Sequence, residues 1–258
     1  MKTKFKIIIA VLLVAVIAAG GYLMNMFGIF AAGNGSAYSV KNTLSLSHSV
    51  LQGKTGIFLG SSVTYGYGSL GESFADFLEK TDGIIAIKEA VSGTTLVDNG
   101  KNSYVARMKT IDKDIKADFF ICQLSTNDAT KNLPLGEVSE SFTPTDFDTA
   151  TVTGAMEYII AYAGETWNCP VVFYTQAEYD SEVYGEMVDT LLELKDKWDI
   201  TVIDLWHNQE INDITDKERK LYLVDHIHPT KAGYRQWWLP EFQRVLGEVV
   251  NNAGEEKL

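Results

Sequence analysis

Short uninterrupted runs of apolar residues alternate, from residue 55 onward, with segments in which apolar residues recur three or four positions apart. The uninterrupted runs are typical of strands buried on both faces, and the helical spacing is typical of amphipathic helices. Strands are predicted near residues 57–59, 84–87, 119–124, 171–174 and 201–205. Helices are predicted near residues 72–80, 105–115, 152–163 and 183–198.

Strands that alternate with helices predict an α/β fold, here a three-layer α/β/α sandwich around a five-stranded parallel sheet. We expect one domain, residues 54–258. The stretch 129–148 contains two prolines and is predicted to be an irregular loop. A last helix is predicted after Thr230, which can cap it, and Pro240 is expected to break or kink that helix.

The first 33 residues follow a different pattern. Lys2, Lys4 and Lys6 precede an apolar run from Ile7 to about Gly33. This order is typical of a secretory signal, but the run is long enough to span a bilayer of about 30 Å. We expect residues 1–33 to be an uncleaved signal-anchor that holds the rest of the chain outside the cell membrane; cleavage to a secreted protein is the alternative. Residues 34–53, rich in Ser, Asn and Gly, are predicted to be a linker.

The charge of the chain narrows the class of binding partner. All 34 acidic residues but only 19 of the 22 basic residues lie after residue 33. Such a surface disfavours nucleic acid and anionic lipid headgroups, and favours a neutral or cationic partner.

Cys122 and Cys169 lie in or beside apolar runs, so we interpret them as small buried residues, with a disulfide as the alternative.

Residues with catalytic potential follow the predicted strands. Ser62 comes after the first strand, Gly93 after the second and Asn127 after the third, whereas Asp225 and His228 come late in the chain. The carboxyl ends of parallel strands share one edge of a sheet, so the first three should meet there. His228 is a candidate base for the Ser62 hydroxyl, and Asp225 could orient that base.

An acyl-transfer intermediate also needs hydrogen-bond donors for its oxyanion. The backbone N–H groups of Ser62 and Gly93 and the side-chain amide of Asn127 are candidates. Simpler interpretations exist: Gly93 as a turn glycine, Asn127 as a helix cap, and the segment 225–228 with its two histidines as part of a metal site. Because no zinc-ligand spacing is completed elsewhere in the sequence, we expect neither a metal nor another cofactor.

Four short blocks resemble, in order, the blocks of the SGNH/GDSL hydrolases. The sequence LGSSVTYG at residues 59–66 resembles their GDS(L) block, and Ser92-Gly93 their second block. STND at residues 125–128 resembles the GxND block, and DHIHP at residues 225–229 the DxxH block. The resemblance spans about residues 55–234. Two positions depart from it, since Ser61 stands where the family has Asp and Ser125 where it has Gly.

This resemblance implies a flavodoxin-like fold and ester hydrolysis through an acyl-serine intermediate, without a metal. By position it makes Ser62 the nucleophile, His228 the base and Asp225 its orienting group. It places Ser62, Gly93 and Asn127 in the oxyanion hole.

We therefore expect an exported serine esterase or lipase-like acyl hydrolase acting on small-molecule, glycan or lipid esters. An acyltransferase with the same residues and a non-catalytic ligand-binding domain are the alternatives. Trp206, Trp237 and Trp238 could line a sugar site, but core packing is the simpler interpretation.

Overall fold

Five parallel strands form the centre of the structure, a computed structural model that describes residues 12–16, 20, 21, 24 and 28–255. The strand order is β2-β1-β3-β4-β5, and every neighbouring pair is parallel. The five-stranded α/β/α sandwich predicted from the sequence is confirmed. The strands are β1 (Thr55–Gly60), β2 (Ile85–Ala90), β3 (Phe119–Gln123), β4 (Val171–Tyr174) and β5 (Thr201–Ile203).

Helices connect the strands and cover both faces of the sheet. In chain order the α-helices from residue 55 onward are α1 (Ser62–Tyr65), α2 (Phe74–Asp82), α3 (Tyr104–Met108), α4 (Thr126–Thr130), α5 (Val152–Trp167), α6 (Glu182–Trp198), α7 (Gln209–Asn212), α8 (Asp216–Tyr222) and α9 (Leu239–Glu255).

Successive residues of the strands enter two separate cores. In β1, Ile57 and Leu59 pack in the core shared with α5 and α6, whereas Phe58 packs in the core shared with α2 and α9. Both faces are covered, which explains why the central strands are apolar without alternation. Trp237 and Trp238 are buried in the second core, so the simpler interpretation of these two tryptophans fits the structure.

Cys122 fits the interpretation as a small buried residue, whereas Cys169 is only partly buried. Cys122 is buried in β3, and burial raises the pKa of its thiol. Cys169 packs at the margin of the first core. Both residues are described by the structure, and no disulfide joins them.

Two predicted elements differ from the structure. The helix predicted over residues 105–115 is only α3, because side chains just beyond it bind the backbone locally: the Thr110 hydroxyl donates to the carbonyl of Arg107 at 2.7 Å, and the Asp112 carboxylate accepts the N–H of Asp114 at 2.9 Å. Pro240 does not break the last helix. A wider π-helical turn, Gly233–Trp238, precedes it and accommodates the missing N–H, and the N–H of Gly233 donates to the Thr230 hydroxyl as expected of a cap.

The segment predicted to be a linker lies against the domain. Three short 3₁₀ turns, Ala32–Asn34, Ser36–Tyr38 and Val40–Asn42, follow one another there. The buried side chain of Asn34 donates to the carbonyls of Gly28 (2.8 Å) and Gly68 (2.7 Å) and accepts the N–H of Lys231 (2.9 Å). These bonds join the segment to two distant loops, which the composition of residues 34–53 does not indicate.

Most of the predicted signal-anchor, residues 1–33, lies outside the described residues and stays a prediction. Among the residues that the structure does describe, no helix combines the length and the apolar composition needed to cross a membrane.

We expect Asn34→Ala to lower the free energy of unfolding by about 1–3 kcal/mol, because the Gly68 carbonyl and the Lys231 N–H lose the side chain that they bind and Gly28 loses one of its two donors. Asn42→Ala is the matched control, since the exposed Asn42 amide bonds only the carbonyl of Ser36. Urea unfolding of both variants measures the difference. Equal stability of the two variants would mean that residues 34–53 behave as a linker.

Candidate active site

The residues singled out in the sequence meet at the carboxyl edge of the sheet. Ser62 is the first residue of α1, directly after β1, and Asn127 lies in α4, directly after β3. Gly93 lies in the loop after β2, and Asp225 and His228 lie in the loop after α8. The structure thus brings four separate loops together at one edge, as parallel topology requires.

A chain of hydrogen bonds joins Ser62, His228 and Asp225. The Ser62 Oγ atom lies 2.9 Å from His228 Nε2, and His228 Nδ1 lies 2.8 Å from Asp225 Oδ2. Asp225 Oδ1 also accepts the backbone N–H groups of Ile227 and His228, each at 2.8 Å. The loop therefore holds the Asp225 carboxylate next to the imidazole of His228.

The carboxylate determines which nitrogen of His228 carries the proton. Partial burial raises the pKa of Asp225, but the hydrogen bond and charge of His228 and the two backbone donors outweigh burial and lower the pKa to about 2. An ionised carboxylate only accepts, so Nδ1 of the neutral imidazole must donate to it. Nε2 is then the acceptor, and it faces the Ser62 hydroxyl.

Gly60 lets the chain turn from β1 into α1. A Cβ atom at this position would overlap the side chain of Thr64, one turn into the helix. Glycine alone avoids that overlap, so the strand can end there and Ser62 can stand at the sheet edge.

Three candidate hydrogen-bond donors lie on the loops at the same sheet edge as the Ser62 hydroxyl. The N–H of Ser62 is the first of α1, and an N–H at the start of a helix has no acceptor within that helix. Gly93 has φ +80° and nothing within 4 Å of the place of a Cβ atom, so a substrate can approach its backbone. The Asn127 amide donates to the carbonyl of Thr94 (3.0 Å) and to Ser61 Oγ (3.1 Å). Both hydrogens of the Asn127 amide are therefore engaged, one of them by Ser61, the residue next to Ser62.

Ser61 and Ser62 have different surroundings. Ser61 is fully buried, and Gln123 Oε1 accepts both its N–H (2.9 Å) and its hydroxyl (3.3 Å). The same oxygen accepts the Thr64 hydroxyl at 2.9 Å. Ser61 thus belongs to a buried network under the loop, whereas Ser62 faces His228.

The Arg107 side chain, on α3, links the carboxyl ends of β1 and β2 to the loop after β2. Its side chain is buried, and its guanidinium donates to the carbonyl of Gly60 (2.8 Å), the Thr94 hydroxyl (3.1 Å) and the carbonyl of Glu89 (2.9 Å). It also forms an ion pair with the Glu89 carboxylate. One side chain therefore sets the spacing between β1, β2 and the Gly93 loop.

Asp128 holds the other side of that loop. Its buried carboxylate accepts the N–H groups of Leu96 (2.9 Å) and Val97 (3.1 Å). Burial raises the pKa of Asp128, and the hydrogen bonds that it accepts act in the opposite direction. It fixes the loop that carries Gly93 to the helix that carries Asn127.

The metal interpretation of residues 225–228 finds no support in the geometry. The His226 ring packs against Tyr179 at 5.8 Å between centroids, while His228 faces Ser62. Trp206, the third candidate for a sugar site, is half-buried and lines with Tyr179 an open cleft of about 540 Å³ at the β4 and β5 side of the edge.

Sequence analysis missed three supporting residues, although each carried a signal. Gln123 is a polar residue inside an apolar strand, and Arg107 is a charged residue between buried Val105 and Met108. Asp128 follows Asn127 directly and closes the STND block, which resembles the GxND block. A polar side chain where burial is expected must find partners, and at a strand end those partners are loop backbone groups.

The low pKa of Asp225 predicts a pH-dependent contribution to stability. The folded-state pKa of about 2 lies below the ordinary value of 3.8. The stabilisation is therefore complete above the ordinary value and is lost as the pH falls towards 2. Wild type should exceed Asp225→Asn in urea midpoint at pH 6, and most of this difference should be lost by pH 2. A difference that does not change with pH would contradict this.

Arg107→Lys should lower the free energy of unfolding by about 2 kcal/mol or more, because an ammonium group cannot reach the separate acceptors that the guanidinium spans. Arg244→Lys is the matched control, since Arg244 pairs with Glu241 and Glu248 on the exposed face of α9. Its effect should stay within about 0.5 kcal/mol. Urea unfolding compares the two. Equal losses would mean that Arg107 acts as an ordinary surface charge.

Comparison with known proteins places this geometry in a family. Residues 58–236 match the GDSL-like Lipase/Acylhydrolase family. No curated protein sequence matches the chain.

Solved structures share the fold at low sequence identity. A protein from Lactobacillus plantarum is 20% identical with a TM-score of 0.64, over 76% of this chain and 98% of that one. A member of the lipolytic G-D-S-L family from Veillonella parvula is 15% identical with a TM-score of 0.53, over 75% and 97%. A family two carbohydrate esterase from Clostridium thermocellum, in complex with cellohexaose, is 14% identical with a TM-score of 0.53, over 78% and 65%. With the family match over most of the domain, the chain belongs to the GDSL-like lipase/acylhydrolase family of the SGNH hydrolases.

Proposed function

We propose that this protein hydrolyses carboxylic esters through an acyl intermediate on Ser62. The observation that carries the proposal is the hydrogen-bonded series from Ser62 Oγ to His228 Nε2 and from His228 Nδ1 to Asp225. Family membership supports ester hydrolysis as the class of reaction. The series supplies what a serine needs to act as a nucleophile, namely an adjacent neutral base in a fixed tautomer.

In the first half of the reaction, Ser62 Oγ attacks the ester carbonyl carbon while its proton passes to His228 Nε2. Asp225 stabilises the imidazolium that forms. The carbonyl oxygen becomes an oxyanion, for which the N–H groups of Ser62 and Gly93 and the Asn127 amide are the donors. When the carbonyl re-forms, the bond to the alcohol breaks, and His228 returns the proton to the departing alcohol oxygen.

In the second half, water attacks the acyl-serine carbonyl while His228 accepts its proton, and Ser62 leaves with that proton restored. An alcohol in the place of water would give acyl transfer with the same residues. The Asn127 amide must turn one N–H from Ser61 Oγ towards the oxyanion in both halves. Because a neutral hydroxyl is a weaker acceptor than an oxyanion, that exchange favours the transition state.

A fluorophosphonate probe should label Ser62, and Ser62→Ala should abolish labelling and reduce turnover of a chromogenic ester by on the order of 10⁶. Ser61→Ala is the matched control: it lies one residue away, and its hydroxyl contacts Gln123 and Asn127 and makes no bond to the base. It should keep labelling and lose far less activity.

Three results would point elsewhere. Probe mass on Ser61, or wild-type turnover in Ser62→Ala, would contradict the assignment of the nucleophile. Folded protein with neither serine labelled would favour the non-catalytic alternative. Labelling with turnover only in the presence of an added alcohol would favour the acyltransferase.

A further inference from the structure

The apolar N-terminal run reaches the domain beside the catalytic residues. Described residues of this run, among them Met24, are helical, and the N–H of Ile29 donates to the carbonyl of Met24 at 3.0 Å. Gly28 has φ +70°, as expected of the residue that ends a helix in this way. From Gly28 onward the last residues of the run lie against the domain.

Gly28 lies between the two loops that carry the nucleophile and the base. A Cβ atom on Gly28 would lie 2.8 Å from the carbonyl oxygen of Gly68 and 2.7 Å from a methyl group of Val224. Gly68 in turn contacts His228, where a Cβ atom would lie 2.8 Å from the His228 Cβ. Only two residue-to-residue contacts thus separate the end of the apolar run from the catalytic base.

Hydrogen bonds made by residues after Gly28 hold this arrangement in place. Asn34 joins the segment to Gly68 and to Lys231. The Glu72 carboxylate accepts the N–H of Val40 at 2.6 Å and pairs with Lys231 at 2.8 Å. The segment is therefore held along both catalytic loops, and residues 28–43 cannot extend as a flexible spacer while these bonds exist.

Four exposed apolar or aromatic side chains lie on these two neighbouring segments. Ile29 and Phe30 are 43% and 63% exposed, and Tyr65 and Leu70 are 47% and 46% exposed. Leu70 also has φ +59°, a conformation that costs a leucine free energy and that glycine would adopt without strain. We call Ile29, Phe30, Tyr65 and Leu70 the rim surface.

We propose that the rim surface contacts a lipid bilayer, so that the active site opens at the membrane face. The run from Ile7 to Gly33 follows three lysines, is apolar over the length of a bilayer span and ends within the rim surface. A span anchored there brings the rim surface to the headgroup region, where aromatic and aliphatic side chains are favourable. This inference concerns orientation, and it does not require that Ser62 be reactive.

The opposite edge of the sheet offers a matched control. Ile85 begins β2 and is 55% exposed, close to the values of the rim surface. It lies at the amino end of a strand of six residues, about 17 Å from the carboxyl edge. If the rim surface faces the bilayer, Ile85 faces water.

Fluorescence quenching in vesicles tests the orientation. The full chain with Cys169→Ser, in which the remaining Cys122 is fully buried, receives Leu70→Cys or Ile85→Cys and an environment-sensitive fluorophore. Each protein is reconstituted into vesicles of zwitterionic phosphatidylcholine, so that the negative charge of the domain does not oppose binding. Spin-labelled phosphatidylcholine is then added to the bilayer as quencher. We expect a several-fold loss of fluorescence at position 70 and none at position 85. Phe30→Cys repeats the measurement if Leu70→Cys does not fold.

Three outcomes would overturn the proposal: protein that does not float with the vesicles, a label at positions 30 and 70 that the lipid quencher does not reach, or equal quenching at position 85. The first would mean that the N-terminal run does not hold the full chain on a bilayer, and the second would leave the rim surface to a protein partner. The measurement needs no turnover, so it is repeated in a Ser62→Ala background. Unchanged quenching there separates failure of the orientation from failure of the proposed chemistry.

Discussion

The guanidinium of Arg107 lies beneath the carboxyl edge of the sheet and donates to groups on three segments at once. Gly60 ends β1 just before Ser62, Glu89 lies near the end of β2, and Thr94 follows Gly93 in the loop after β2. The Thr94 carbonyl in turn accepts the Asn127 amide. The positions of Ser62, Gly93 and Asn127 therefore depend on one buried cation. A buried cation requires all of its partners, so this arrangement tolerates few alternatives.

Asp128 and Gln123 extend the same principle on either side of Arg107. Each is a buried polar side chain that accepts hydrogen bonds from the backbone of a loop. Asp128 accepts the N–H groups of Leu96 and Val97, and Gln123 accepts the N–H of Ser61. Apolar packing would stabilise these positions without specifying directions, whereas hydrogen bonds specify both distance and direction. The loops of the active site are thus held by directional contacts, while the strands that carry them are held by apolar burial.

Sequence reasoning succeeded where a pattern is local or where topology determines position. The apolar runs of β1, β3 and β4 indicated a doubly covered parallel sheet, and the ends of its strands had to bring Ser62 and Asn127 together. It failed where contacts are distant in sequence. Nothing near Asn34 indicates that its partners are Gly68 and Lys231. The role of Arg107 likewise depends on three segments that only the folded chain brings together.

The boundary of the family match separates Asn34 from two of the three residues that it binds. The match covers residues 58–236 and includes Gly68 and Lys231, which flank the nucleophile loop and the base loop. Because Asn34 holds both loops at once, the preceding segment is part of the scaffold that keeps Ser62 and His228 in register. A segment outside the matched region therefore contributes to the positions of the loops that carry Ser62 and His228, so the boundaries of the family match are narrower than those of the folded unit.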